Sequence, residues 1–307
     1  MKNFITYYYN FYIYDIHYLN GNYYFNYNKD KYMFKKINYE IENSIDEIYE
    51  INKIIINNNH YYHEIITNKE KSLITYFENQ PYVMLKLSNV SKLPISIFDI
   101  KGNDYISLSN QKYHKLNKFN WVNYWENKVD YFEEYIENNK KKYSELLASF
   151  NYYVGFAENA IMYVNNALIK ENKTSDDELV ISHRRFNKKM TLMDFYDPTN
   201  LIIDHKVRDI AEYLKFLFVN NDYDIILISD YIQRTQLSIL GVHLLIGRLL
   251  FPSFYFDCLE EVILTNNFEM IYILNDRKDE YRKFIDSIIN CLKSRYEISQ
   301  IDWIWTK

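Results

Sequence analysis

Cysteine is nearly absent: Cys258 and Cys291 stand alone, which excludes a disulfide framework and a thiolate-built zinc site. A reducing, cytoplasmic setting is therefore expected. Glycine (5) and proline (4) are almost as scarce. No closely spaced set of glycines exists that would let a loop press its backbone amides against phosphate groups, and no Pro- or Ser-rich linker divides the chain. An excess of positive charge is missing too. The formal net charge of -5 argues against a general nucleic-acid binder. There is no long uncharged apolar run: Leu237 to Phe251 carries His243 and Arg248, is too short to span a bilayer, and reads as a helix buried in the core. The opening MKNFITYYYN has neither a long apolar segment nor a small-residue cleavage site, so no signal peptide is expected.

What is there is aromatic. The 307 residues include 33 Tyr and 19 Phe, with many Asn, Ile and Lys. An AT-rich coding sequence gives this mixture, and a stacking surface for nucleic acid would want a basic chain. The tyrosines are therefore read as composition. The length allows one large domain or two moderate ones with ample core.

The first part is strand-rich. Ile5 to Leu19 reads as a strand, Asn20-Gly21-Asn22 as a turn, Tyr23 to Tyr27 as its partner, and Asn28-Lys29-Asp30 as a second turn into Tyr32 to Ile37. A helix follows, with Ser44 and Glu47 as a capping box and Ile45, Ile48, Ile51 and Ile55 as its apolar stripe. Tyr62 to Thr67, Leu73 to Phe77 and Tyr82 to Leu87 read as further strands. Pro94 and the region of Gly102-Asn103 mark a change in character. Beyond them helices dominate, first Trp121 to Asn138 and then Phe150 to Leu168, where Gly155, Ala157 and Ala160 suit close approach of a neighbour. The domain boundary is placed at residue 88, giving 1–88 and 89–307.

The segment Leu179 to Leu214 carries the chemistry. Leu179-Val180-Ile181 delivers His183-Arg184-Arg185, a second apolar run (Leu201-Ile202-Ile203) ends on Asp204, and an amphipathic helix follows. Protein kinases use a His-Arg-Asp loop with an Asn five residues after the Asp, then a strand ending in a metal-binding Asp. Here Arg185 stands in the Asp position and Met190 in the Asn position. Arginine stays protonated and cannot serve as a base; a thioether is a poor ligand for Mg²⁺.

Four further stretches extend the pattern: YMFKKI at 32–37, KEKSLITYFENQPYVMLKL at 69–87, FNYYVGFAENAIMYV at 150–164 and LIIDHKVRDIAEYLK at 201–215. In order and separation they resemble the aminoglycoside/choline phosphotransferase family, and within it the bacterial spore-coat kinase-like branch. That resemblance implies an α+β, two-lobed protein-kinase-like fold, with an N-terminal antiparallel sheet plus one helix and a mainly helical C-terminal lobe. It implies a nucleotide cleft taking ATP and Mg²⁺. Lys35 then matches the strand lysine that steadies phosphates, with Glu50 as its helix partner, and a plain surface lysine is the alternative. Asp204 matches the metal ligand, with a helix N-cap as the alternative. His183 matches the loop histidine, and Asp209 a structural carboxylate.

With Arg185 in the base position, three readings stay open. The chain is a pseudokinase that binds a nucleotide or a protein partner; or it is an active small-molecule phosphotransferase whose carboxylate comes from Asp194 or Asp197, beside a basic surface of Arg184, Arg185, Lys188 and Lys189; or it is a helical interaction protein without nucleotide. Neither a nucleic-acid partner nor a membrane span is expected.

Overall fold

A chain this poor in glycine makes its tight turns with asparagine. In the computed structural model, which describes residues 1–90, 93–100, 113–186, 190–298 and 301, β1 (Ile16–Leu19) and β2 (Asn22–Tyr27) are joined by Asn20 and Gly21, at φ 50° and 79°. Both residues in the left-handed region suit the twist of a two-residue hairpin. The loop from β2 to β3 (Asp30–Lys36) uses Asn28 and Lys29, at φ 47° and 71°. After β4 (Glu64–Ile66), strands β5 (Thr75–Phe77) and β6 (Gln80–Leu87) are joined by Glu78 and Asn79, at φ 50° and 59°. Asparagine tolerates this conformation because its short amide bonds locally.

All six strands pair antiparallel in the order β1-β2-β3-β6-β4, with β5 also on β6. The expected strand from Ile5 is corrected at its start. Lys2–Tyr9 is a helix, α1, ended by Asn10 at φ 57°, and only Ile16–Leu19 is strand. Phe4, Ile5, Tyr8 and Tyr9 fall on one helical face and pack on one side of the sheet with Phe25, Tyr32, Phe34, Tyr82 and Met84. Local β-propensity lost to the burial of that face. Because strand residues alternate, Lys35 points to the opposite side from Phe34.

The helix after β3, α2 (Tyr39–Asn58), begins earlier than the capping box implied. Its cap is Asn38, whose side chain accepts from the Ile41 N–H at 3.0 Å. Ser44 lies inside the helix, donating to the Glu40 carbonyl at 2.8 Å. Glu47 instead accepts the backbone N–H groups of Lys115 and Leu116, each at 3.1 Å. The stripe of Ile45, Ile48, Ile51 and Ile55 is buried.

The remaining elements are α3 (Trp121–Asn138), α4 (Leu147–Lys170), β7 (Leu179–His183), α5 (Leu192–Phe195), β8 (Leu201–His205), α6 (Val207–Val219), α7 (Ile225–Arg234), α8 (Ile239–Leu250), α9 (Ser253–Thr265), α10 (Glu269–Asp276) and α11 (Lys278–Lys293). Strands β7 and β8 pair with each other. The fold is α+β, with an N-terminal antiparallel sheet and a helical C-terminal part. Two compact units emerge. The first is built from Met1–Asp99, the segment ending at Asn117, and Ile181–Ile203; the second from Lys118–Val180 and from Asp204 onward. The loop segment after His183, which the boundary at residue 88 assigns to the C-terminal part, thus groups with the sheet.

In the second unit the buried helix expected at Leu237 to Phe251 is α8. The apolar run continues to Thr265 and by length and composition is a candidate membrane span, yet 83% of the 18-residue window that makes it one is buried inside the protein. Each buried Leu or Ile there contributes about 1.5–3 kcal/mol, so its place is the core. The close approach expected at Gly155 lies elsewhere, since a Cβ at Gly155 would meet open space. At Gly247 of α8 it would fall 2.2 Å from Val164 Cγ2 of α4. The region of Gly102-Asn103 lies outside the described residues.

Candidate functional site

The first unit holds Lys35. Its ammonium donates to Asp197 Oδ2 at 2.5 Å and to Thr199 Oγ1 at 2.8 Å. Asp197 is fixed in turn: its Oδ1 accepts from the Thr199 N–H at 2.9 Å and hydroxyl at 2.7 Å, capping the 3-10 turn Pro198–Asn200. Asp197 is 3% exposed. Burial, the largest single effect, opposes its charge, but the Lys35 ammonium, His63 and the Thr199 hydroxyl together hold the carboxyl below the usual carboxylate range. Glu50, the expected partner of Lys35, stands exposed on α2 and is not among the groups Lys35 binds. A carboxylate from the loop has taken that place, and Lys36 faces outward.

His63 completes this half. Its Nδ1 lies 2.9 Å from the Ser88 hydroxyl and 3.2 Å from the Ser88 N–H. Asn52 of α2 donates to the His63 carbonyl at 2.7 Å and accepts from the Ile65 N–H at 3.0 Å, tying α2 to β4. Burial pushes the His63 pKa below the ordinary histidine value, against the pull of Asp197. The sequence marked none of His63, Asn52 or Thr199. Only a buried polar residue in a strand-like run, His63 before Glu64-Ile65-Ile66, offered a signal.

The other loop residues are held structurally. His183 is fully buried, stacked on Phe195 with ring centroids 3.9 Å apart, and its Nε2 lies 3.3 Å from the Tyr62 hydroxyl. Arg184 pairs with Glu40 at 2.6 Å, and Arg185 is half-buried. Asp194 forms the capping box of α5 with Thr191, accepting from its N–H at 2.9 Å and its hydroxyl at 2.7 Å. Met190 is buried; Lys188 and Lys189 lie outside the described residues. A cavity of about 490 Å³ opens on the Lys35 side of the sheet, lined by His17, Tyr24, Lys31, Leu87, Val90 and Met193 among others.

The second unit holds Asp204, and its carboxylate is already full. Oδ1 accepts from the His205 N–H at 2.7 Å, and Oδ2 from Arg208 Nη1 at 2.7 Å. The Trp121 indole N–H is shared between the two oxygens at 2.9 and 3.0 Å. Three N–H donors thus converge on the carboxylate, with each oxygen contacted twice because the indole proton is shared. Asp204 does not cap α6, whose first turn has no side-chain cap. Nearby, Ser238 donates to Asp177, whose Oδ1 lies 3.2 Å from His205 Nε2. The Ser238 oxygen accepts from the Gly241 N–H at 2.7 Å, so this serine caps α8. Burial tends to raise the Asp177 pKa, but its bonds to His205, Ser238 and Thr174 lower it strongly.

These residues do not fit a metal-bridged nucleotide. Mg²⁺ needs free oxygen lone pairs, and the lone pairs of Asp204 face N–H donors. Among the described residues no three His, Cys, Asp or Glu side chains converge as a metal cluster. The cavity is of ligand size, while the ammonium of Lys35 is spent.

A profile of the family described as spore coat putative kinase YutH matches residues 2–293. Over 206 residues the chain is 25% identical to the endospore coat-associated protein YutH of Bacillus subtilis (strain 168), a match spanning 60% of this chain and 61% of that protein, less than two thirds of its length. The fold is similar to an aminoglycoside phosphotransferase from Alicyclobacillus acidocaldarius subsp. acidocaldarius DSM 446, with a TM-score of 0.62, 10% identity and 92% of each chain covered. An AMP-bound spectinomycin phosphotransferase is also similar, at a TM-score of 0.47, 11% identity, and 96% and 98% coverage. The likeness to the Alicyclobacillus structure shows a shared fold and leaves the chemistry to the site.

Proposed function

The chain belongs to the spore coat putative kinase YutH family, and from that premise we propose that it works by binding, as a pseudokinase, and not by phosphoryl transfer. The observation that carries this reading is the buried pair of Lys35 and Asp197. A lysine that steadies phosphates must offer net charge to them. Here a carboxylate at 2.5 Å cancels it, and any incoming phosphate has to displace a partner that is itself anchored to Thr199. Arg185 in the base position supports the same reading, because no proton can be taken from an acceptor hydroxyl there.

The alternative of an active phosphotransferase draws its base from Asp194 or Asp197. Asp194 is committed to a helix cap and Asp197 to Lys35, which favours the binding reading. The ligand we propose is a nucleotide held by its base in the cavity beside Met193, with little help for its phosphates. Association with the endospore coat, which the relative's name states for that protein, is proposed for this chain as well. A cytoplasmic, reducing setting during folding is proposed from the two cysteines, neither in a disulfide; burial pushes the Cys258 thiol up to about 11, away from reactivity.

The test is thermal unfolding with ATP and GTP, with and without Mg²⁺, beside a phosphate-release assay. A ligand at a hundred times its dissociation constant adds about 2.7 kcal/mol to apparent stability. We expect nucleotide to stabilise the protein equally with and without Mg²⁺, and no turnover. Turnover abolished by Asp204→Ala would sink the proposal.

A further inference from the structure

We infer that Arg208 is the resident cation of Asp204: its guanidinium occupies the place of a divalent metal, and the position has become a closed internal salt bridge that excludes metal. The inference deepens the binding reading but stands on the geometry of the second unit alone.

Asp204 is fully buried, and the Arg208 side chain is 11% exposed. Asp204 lies near the end of β8 and Arg208 in the first turn of α6, four residues on, so the strand-to-helix turn brings the two together. The pair does not stand by itself. The indole of Trp121, bonded to both Asp204 oxygens, lies under a second guanidinium, that of Arg248, 4.6 Å from the ring. Arg248 is in turn paired with Glu212 at 2.8 Å, both 5% exposed. The set therefore holds two carboxylates and two guanidiniums around one indole, and these four charges offset one another.

Adding Mg²⁺ would place two positive charges beside Arg208 and Arg248 in a buried setting, where like charges repel with little screening. It would also have to strip N–H donors from Asp204. Arginine suits the resident role because it stays charged at every usable pH and is less strongly hydrated than an ammonium. Removing the guanidinium should reverse the balance by leaving Asp204 as a buried negative charge that a hard cation can satisfy.

The experiment is Mn²⁺ binding, by calorimetry and by electron paramagnetic resonance, to the full chain and to Asp204→Asn, Arg208→Gln, Arg208→Lys and the Asp204→Asn/Arg208→Gln double variant, each checked for folding by circular dichroism. The unmodified chain and Asp204→Asn should bind Mn²⁺ equally. Arg208→Gln should gain a saturable site roughly tenfold or more tighter than any in the parent, since one removed charge at contact distance is worth at least that much. The gain should vanish in the double variant and be absent in Arg208→Lys, which keeps a cation.

Saturable binding by the unmodified chain that Asp204→Asn abolishes would overturn the inference, as would a folded Arg208→Gln protein that gains nothing. If Arg208→Gln does not fold, the comparison of the unmodified chain with Asp204→Asn still decides. Turnover in the phosphate-release assay without Asp204-dependent Mn²⁺ binding would remove the binding-only reading and leave this one standing; the converse result would do the opposite.

Discussion

Lys35 and Asp197 are 162 residues apart in sequence and 2.5 Å apart in space, and the pair ties β3 to the loop that leads into β8. Asp197→Asn keeps the shape and removes the counter-charge. Leaving a largely buried ammonium unpaired costs about 3–5 kcal/mol, to be read from urea unfolding, and the freed charge should raise affinity for inorganic phosphate. The pH dependence has a definite sign. Because the folded carboxyl of Asp197 titrates below its ordinary value, its contribution is present above an unfolded pKa of about 3.9 and is lost as pH falls through the lower folded value. Acid unfolding curves of the parent should therefore be steeper than those of Asp197→Asn. His63 also titrates low, because burial disfavours its charge, so the unfolded chain takes up the proton first. Stability should start to fall as pH drops below about 6.5, and His63→Gln should flatten that part of the profile. At this scale the sequence was half legible. Lys35 and Asp204 were visible as a lysine in a strand and a carboxylate after an apolar run. Their partners were not: Asp197 stood out only as a loop carboxylate, and Trp121 only as a helix residue 83 positions before Asp204.

Elements came through where periodicity was strong. The stripe of α2 and the buried α8 were both readable, because apolar spacing follows from burial on one side. The first helix was not, since aromatic residues serve strands and helices alike and only the sheet beneath α1 decides between them. The start of α2 was missed because a serine and a glutamate three apart form a cap only at a helix end, and Asn38 had already supplied one. Two changes test the element-level account. Lys29 holds φ 71° without being glycine or asparagine; Lys29→Gly should raise stability by about 0.5–1 kcal/mol by relieving that conformation. Gly247→Ala would force a methyl group to within 2.2 Å of Val164 Cγ2, and should cost about 1–3 kcal/mol as α8 moves off α4. Both are measurable as shifts in the midpoint of chemical unfolding.

For the whole molecule, 36 basic and 41 acidic residues nearly balance, and the sequence isoelectric point is about 5.9. Light scattering across the surrounding pH range should show greatest self-association near that value, where repulsion between copies vanishes. Composition also sets how the molecule ages. The β1–β2 hairpin turns on Asn20 followed by Gly21, the pairing whose side-chain amide is most open to attack by the next backbone nitrogen. Ring closure and reopening there convert asparagine into aspartate or its β-linked isomer, and the β-linkage adds a methylene to the backbone of a two-residue loop. The tip of the first hairpin therefore carries a slow covalent clock.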